Sequence, residues 1–133
     1  MVACGHAEQG REAGSVSETD AGIAVAGGGP SGDRVRIGIV GLNFGRRLIE
    51  KQVIGGAGGA FVEVAGVTSL DPEESRKTAA AWRVSAYPSL GSMLEDPGIE
   101  AIGLWTGPAG RAELVGQCIE AGKHVLTTKP FDI

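Results

Sequence analysis

From Arg34 onward, short apolar runs alternate with segments whose apolar positions recur every three or four residues. The runs are "VRIGIVG", "FVEVAGVTS", "RVSAY", "EAIGLWT" and "KHVLTT". The first is almost continuously apolar up to Gly41, as expected of a strand covered on both faces in a parallel sheet. A helix is predicted from about Phe44, with Leu48, Ile49, Gln52 and Val53 on one side. The cluster "GGAGG" at 55–59 ends it. Because that cluster follows a helix rather than opening one, it reads as a connector and not as a second phosphate loop.

The second helix carries its start signals in order: Asp71 as cap, Pro72 at the first position and Glu74 where a capping-box acid stands. Ser89 opens a short third helix with Leu90, Met93 and Leu94 inward, closed by "EDPG". The fourth, 111–121, places Leu114, Val115, Cys118 and Ile119 in one stripe, with Gly122 just past its end. Strand and helix alternate with short connections, which is the pattern of an α/β fold with a doubly wound parallel sheet. Right-handed crossovers give five strands the Rossmann-like order 3-2-1-4-5. Ligands on such sheets sit at the C-terminal strand ends, here Gly41, Ser69, Thr106 and Thr128.

Residues 1–33 have a different texture. They hold eight glycines, no aromatic residue, and five acids against one base. With so little apolar area to offset ordering entropy, they read as a disordered extension preceding a domain at 34–133 that is incomplete at its C-terminal end. The net charge of −4 lies wholly on that extension, since residues 34–133 carry eleven acids and eleven bases. No basic patch points to nucleic acid, and no apolar run or leader points to a membrane or to secretion. Two cysteines make no disulfide framework, and reduced thiols in a cytoplasmic protein fit them better. No metal is expected.

Candidate chemistry gathers at the strand ends. In "RIGIVGLNFGRR", the residues Gly41, Leu42, Asn43, Phe44, Gly45 and Arg46 pass from strand to helix. Main-chain N–H groups at such a helix start, together with its dipole, favour a pyrophosphate. Gly41 suits the turn and Gly45 leaves room for packing, while Asn43 replaces the middle glycine of the usual G-x-G-x-x-G and tolerates positive φ. Ser69 stands where an acid commonly holds the ribose 2′-hydroxyl of NAD. Without that acid a 2′-phosphate is not repelled, and Arg46, Arg47 or Arg76 can meet it, so the cofactor is NAD or NADP with a lean to NADP. Thr106, Gly107 and Pro108 leave the fourth strand and line the nicotinamide end; the plainer reading is an ordinary turn. Lys129 directly follows the fifth strand, where a lysine can orient a substrate hydroxyl or carbonyl and relay a proton; the plainer reading is a surface lysine.

Taken together, "RIGIVGLNFGRR", "VAGVTSLDPEESRKTAAAW" and "SLGSMLEDPGIEAIGLWTGPAGRAELVGQCIEAGKHVLTTKPF" resemble the N-terminal half of the Gfo/Idh/MocA oxidoreductases, with "EAGKHVL-x-x-KP" the most specific block. The resemblance implies an NAD(P)-binding Rossmann domain, normally followed by a second α/β domain that carries much of the substrate site. It implies a catalytic role for Lys129 on the nicotinamide side. Thr128 stands in place of the family's usual glutamate, Thr106-Gly107-Pro108 in place of Thr-Pro-Asn, and Arg111 near a common histidine. The activity implied is hydride transfer between a nicotinamide cofactor and a polyol, sugar or similar alcohol. The small-molecule substrate would be met through the further domain, so the 133 residues alone are expected to bind dinucleotide without turnover. The competing expectation is a non-catalytic nucleotide-binding or scaffold module that pairs with a partner, or with its own copy as a homo-oligomer, through an exposed edge at the fifth strand.

Overall fold

The computed structural model describes residues 2–4 and 33–133. The reading of 1–33 as a disordered extension therefore lies, for residues 1 and 5–32, outside the described residues. The strands are β1 (Val2–Cys4), β2 (Val35–Val40), β3 (Val62–Thr68), β4 (Ser85–Ala86), β5 (Ala101–Leu104) and β6 (His124–Thr127). The α-helices are α1 (Asn43–Ile49), α2 (Pro72–Trp82), α3 (Leu90–Leu94) and α4 (Arg111–Glu120).

The strands form one sheet in the order β1-β6-β5-β2-β3-β4. Strands β2 to β6 are all parallel, so their arrangement is the expected 3-2-1-4-5. One feature differs from the sequence expectation. The edge at β6 is not open: Val2–Cys4 pairs with it antiparallel, Val2 opposite Thr127 and Cys4 opposite Val125. A three-residue strand has too little pattern to be read against a glycine-rich background.

Strand alternation sorts the core into two layers. Ile37, Ile39, Val67, Ala101 and Trp105 face one way and pack with Leu42, Ile49 and Ala79 beneath α1 and α2. Val40, Ala65, Ile102, Leu104 and Val125 face the other way and pack with Met93, Val115 and Cys118 beneath α3 and α4. Burying Ile39, Val67, Ile102, Leu104 and Val125 almost completely stabilises the sheet by roughly 1.5–3 kcal/mol per side chain. This is why the runs read as continuously apolar.

Local signals mostly act as expected. The Asp71 carboxylate accepts from Glu73 N at 2.9 Å, capping α2 over Pro72. The reciprocal capping pair forms at α3, between Ser89 and Ser92. Gly122 ends α4 with φ +80°. Two stripes are corrected. Gln52 is exposed, because α1 passes at Glu50–Ile54 into a π-helical turn that rotates the following positions. Ile119 is 46% exposed, and the helix buries Arg111 at its other end instead. The glycine connector contains a 3-10 turn, Ala57–Ala60. Cys118 is buried, and desolvation pushes its thiol up to about 11, so it is an inert packing residue. Among the described residues no helix is long and apolar enough to cross a membrane, and no cluster of side chains could hold a metal ion.

Candidate functional site

The C-terminal ends of the parallel strands are laced together by the backbone. Gly41 N donates to Thr68 O at 3.0 Å, and Trp105 N donates to Val40 O at 2.8 Å. The Thr127 hydroxyl donates to Leu104 O at 2.8 Å. This brings Gly41, Ser69, Thr106 and Thr128 to one end of the sheet, where such folds form their crevice, as the strand order requires.

Gly41 has φ +92°, and a Cβ there would lie 2.7 Å from Trp105 O. A side chain is thus excluded both by conformation and by the neighbouring strand end. Helix α1 follows at once, with Leu42 buried as its cap residue. The first helical hydrogen bond runs from Arg46 N to Leu42 O, at 3.2 Å. Helix geometry therefore leaves the N–H groups of Asn43, Phe44 and Gly45 without intrahelical acceptors. Asn43 and Phe44 are exposed, and Gly45 is buried. A Cβ on Gly45 would sit 3.2 Å from Trp105 Cβ. Trp105 also covers Gly103, where an added Cβ would be 1.8 Å from its ring. One aromatic ring thus fits against two glycines and supports the turn from below.

Ser69 lies at the tip of β3, half-buried, with its hydroxyl 2.9 Å from Ser75 Oγ and accepting from Asp71 N at 3.3 Å. Of the arginines that could meet a 2′-phosphate, Arg46 pairs with Glu50 at 3.6 Å and Arg76 with Glu73 at 2.5 Å, while Arg47 is exposed. At the other side of the crevice, Gly107 and Pro108 form the turn into α4, and a Cβ on Gly107 would meet open space. Lys129 is exposed directly beyond β6 and is joined to Pro130 by a cis peptide bond. A groove of about 320 Å³ between Arg34, Val53, Ile54, Trp82 and Val84 lies at the opposite ends of the strands, away from these residues.

Three residues at these strand ends have roles that a reading of the sequence does not reveal. Trp105 is 5% exposed and is the support just described. Arg111 is 3% exposed, and its guanidinium donates to Thr106 O, to Thr128 O at 2.5 Å and to Pro130 O at 2.8 Å. Asp132 accepts from Gly110 N at 2.9 Å and from Ala112 N at 3.2 Å. Its carboxyl is held below the usual range by backbone hydrogen bonds, first from Ile133 and then from the start of α4. Arg111 is marked in the sequence by its place near the family's common histidine and as a cation at the first position of a helix, where the dipole disfavours it, but neither mark shows its carbonyl partners. Nothing in the sequence marks Asp132.

The sequence model described as "Oxidoreductase family, NAD-binding Rossmann fold" (Gfo/Idh/MocA) matches residues 35–133. The chain belongs to the Gfo/Idh/MocA oxidoreductase family. It is 36% identical over 99 residues to dTDP-3,4-didehydro-2,6-dideoxy-alpha-D-glucose 3-reductase of Saccharopolyspora spinosa, covering 73% of this chain and 29% of that one. UDP-N-acetylglucosamine 3-dehydrogenase from Acidithiobacillus ferrooxidans superimposes with a TM-score of 0.62 at 27% identity, over 74% of this chain and 30% of that one. A 3-ketoreductase from Actinomadura kijaniata, solved with TDP-benzene and NADP, shares the fold with a TM-score of 0.63 at 20% identity, over 74% and 31%. The chain thus spans less than a third of the length of these Gfo/Idh/MocA relatives. In this family member the matched region covers every strand except β1.

Proposed function

We propose that this chain is the NAD(P)-binding portion of an oxidoreductase that moves hydride between a nicotinamide cofactor and a sugar-related or polyol alcohol. One observation carries the reading. The turn at Gly41 delivers the unpaired N–H groups of Asn43 to Gly45 to the crevice, at the C-terminal end of the central strand. The residues fit a dinucleotide: Gly41 to Arg46 would hold the pyrophosphate, Ser69 and its neighbours the adenosine ribose, and Thr106, Gly107 and Pro108 the nicotinamide side. Asn43 does not spoil the cradle, because its side chain is exposed and its N–H belongs to the same free set.

When bound, the nicotinamide supplies or accepts the hydride. The chain's own part is to fix the diphosphate and to place Lys129 beside the Thr106–Pro108 turn. There its ammonium orients a substrate oxygen and exchanges the proton that accompanies hydride transfer. The lean to NADP rests on the uncharged Ser69, and on Asp71, whose carboxylate is engaged with Glu73 N. Substrate recognition needs residues beyond this domain. Pairing with a partner through β6 loses its support, since β1 lies on that edge.

Titration of the chain with NADPH and with NADH, followed by assay of sugar and polyol oxidation, tests this. Binding of at least one dinucleotide, NADPH the tighter, without turnover is expected. No affinity for either refutes the reading, and turnover by this chain refutes the need for a further domain.

A further inference from the structure

Arg111 is a buried cation at the start of a helix, and its three acceptors are main-chain carbonyls from the ends of two strands. Both costs are physical: the helix dipole opposes a positive charge there, and desolvating a guanidinium is unfavourable. Its Nε has no hydrogen-bond partner among the described residues. An apolar side chain would fill such a place with no charge to desolvate. What an apolar side chain cannot do is hold Thr106 O, Thr128 O and Pro130 O at fixed mutual positions, which a rigid guanidinium fork does. The two carbonyls taken beyond β6 flank Lys129, whose side chain stays exposed. The same segment answers in the other direction. Asp132 accepts from Gly110 N and Ala112 N, at the start of the helix that carries Arg111.

We propose that Arg111 and Asp132 form a reciprocal clamp that positions Lys129 against the Thr106–Pro108 turn, making Arg111 a positioning residue for the nicotinamide half of the site. The proposal rests on the dinucleotide reading above. It implies that loosening the clamp acts on one half of the ligand only. Adenosine and pyrophosphate contacts belong to β2, α1 and β3, which the clamp does not touch.

The test compares Arg111→Lys and Asp132→Ala with the unaltered chain, using ADP-ribose, which lacks nicotinamide, and NADPH as probes. Lysine keeps the charge but replaces the rigid planar fork, which spreads its donors over two nitrogens, with one compact rotatable ammonium. Asp132→Ala removes only the outer arm of the clamp, so it carries the test if Arg111→Lys fails to fold. Both variants are expected to bind ADP-ribose within about twofold of the unaltered chain. NADPH should bind roughly tenfold more weakly to Arg111→Lys, with a smaller loss in Asp132→Ala, and bound NADPH should lose part of its emission enhancement. Equal weakening of both ligands, or of neither, overturns the clamp while leaving the dinucleotide reading intact. Failure of the unaltered chain to bind either ligand overturns both.

Discussion

Gly103→Ala tests whether Trp105 supports the turn from Gly41 into α1, the proposed diphosphate cradle. A Cβ at position 103 would lie 1.8 Å from Trp105 Cζ3 and 2.4 Å from Cη2. Ordinary carbon contact is about 3.5–4.0 Å, so the ring must move by more than an ångström. It has little room, because Trp105 is 5% exposed and Gly45 packs against its Cβ. Overpacking of this kind costs about 1–3 kcal/mol. For an ordered domain of this size, that lowers Tm by about 5–20 °C. The displaced ring pushes on Gly45 in the first turn of α1, so dinucleotide affinity should fall as well. Thermal unfolding followed by Trp105 fluorescence in a Trp82→Phe background reads the first effect, and NADPH titration below Tm reads the second. An unchanged Tm with unchanged Trp105 emission would refute the packing argument. A lowered Tm with unaltered affinity would show that the ring supports the fold but not the turn.

Two further outcomes follow from the polar groups at the other end of the sheet. Lys123 is 7% exposed and donates to Asp96 O at 2.8 Å and Ile99 O at 2.6 Å. Lys123→Met leaves those carbonyls without their donor and should cost about 2–3 kcal/mol in denaturant unfolding; a neutral result would contradict the assignment. The Tyr87 hydroxyl donates to Asp96, and that bond, followed by the one from Gly98 N, holds the carboxyl below its usual range. A depressed folded-state value means that this contribution is present above about pH 4 and is lost as pH falls through the folded value. Tyr87→Phe should therefore make stability less steeply dependent on pH below about 4, and an acid-unfolding curve of unchanged steepness would contradict it.

The sheet was legible because both of its faces are covered. Strands such as β2 and β5 then read as apolar runs, and short connections leave few topologies. Glycine at 41 and 45 also announced the turn, although the reason lies partly elsewhere. Gly41 is required by the approach of Trp105 O as much as by any ligand. Replacing Gly41 therefore perturbs the fold together with the site. The π-helical turn at Glu50–Ile54 was not legible, because helical periodicity does not distinguish hydrogen bonds spaced by four residues from those spaced by five. Arg111 was not legible as a clamp, because its acceptors are carbonyls that any sequence supplies. Two of them, on Thr128 and Pro130, are 17 and 19 residues away and reach it only once β5 and β6 are paired. The strand Val2–Cys4 was hidden for the same reason: its partner lies at the far end of the chain.

The central claim is that free N–H groups at the start of α1 grip a diphosphate despite the asparagine. Asn43→Asp addresses it with little risk to the fold, since the side chain is exposed and lies in the first turn. A carboxylate there suits the helix dipole, adding about 0.3–1 kcal/mol of stability at low salt. The same charge beside a bound diphosphate costs about 1–2 kcal/mol, roughly 5–30-fold in affinity. Measuring Tm and NADPH affinity on one sample should thus show the first held or raised and the second lowered. Affinity that stays unchanged or improves in Asn43→Asp would contradict the account.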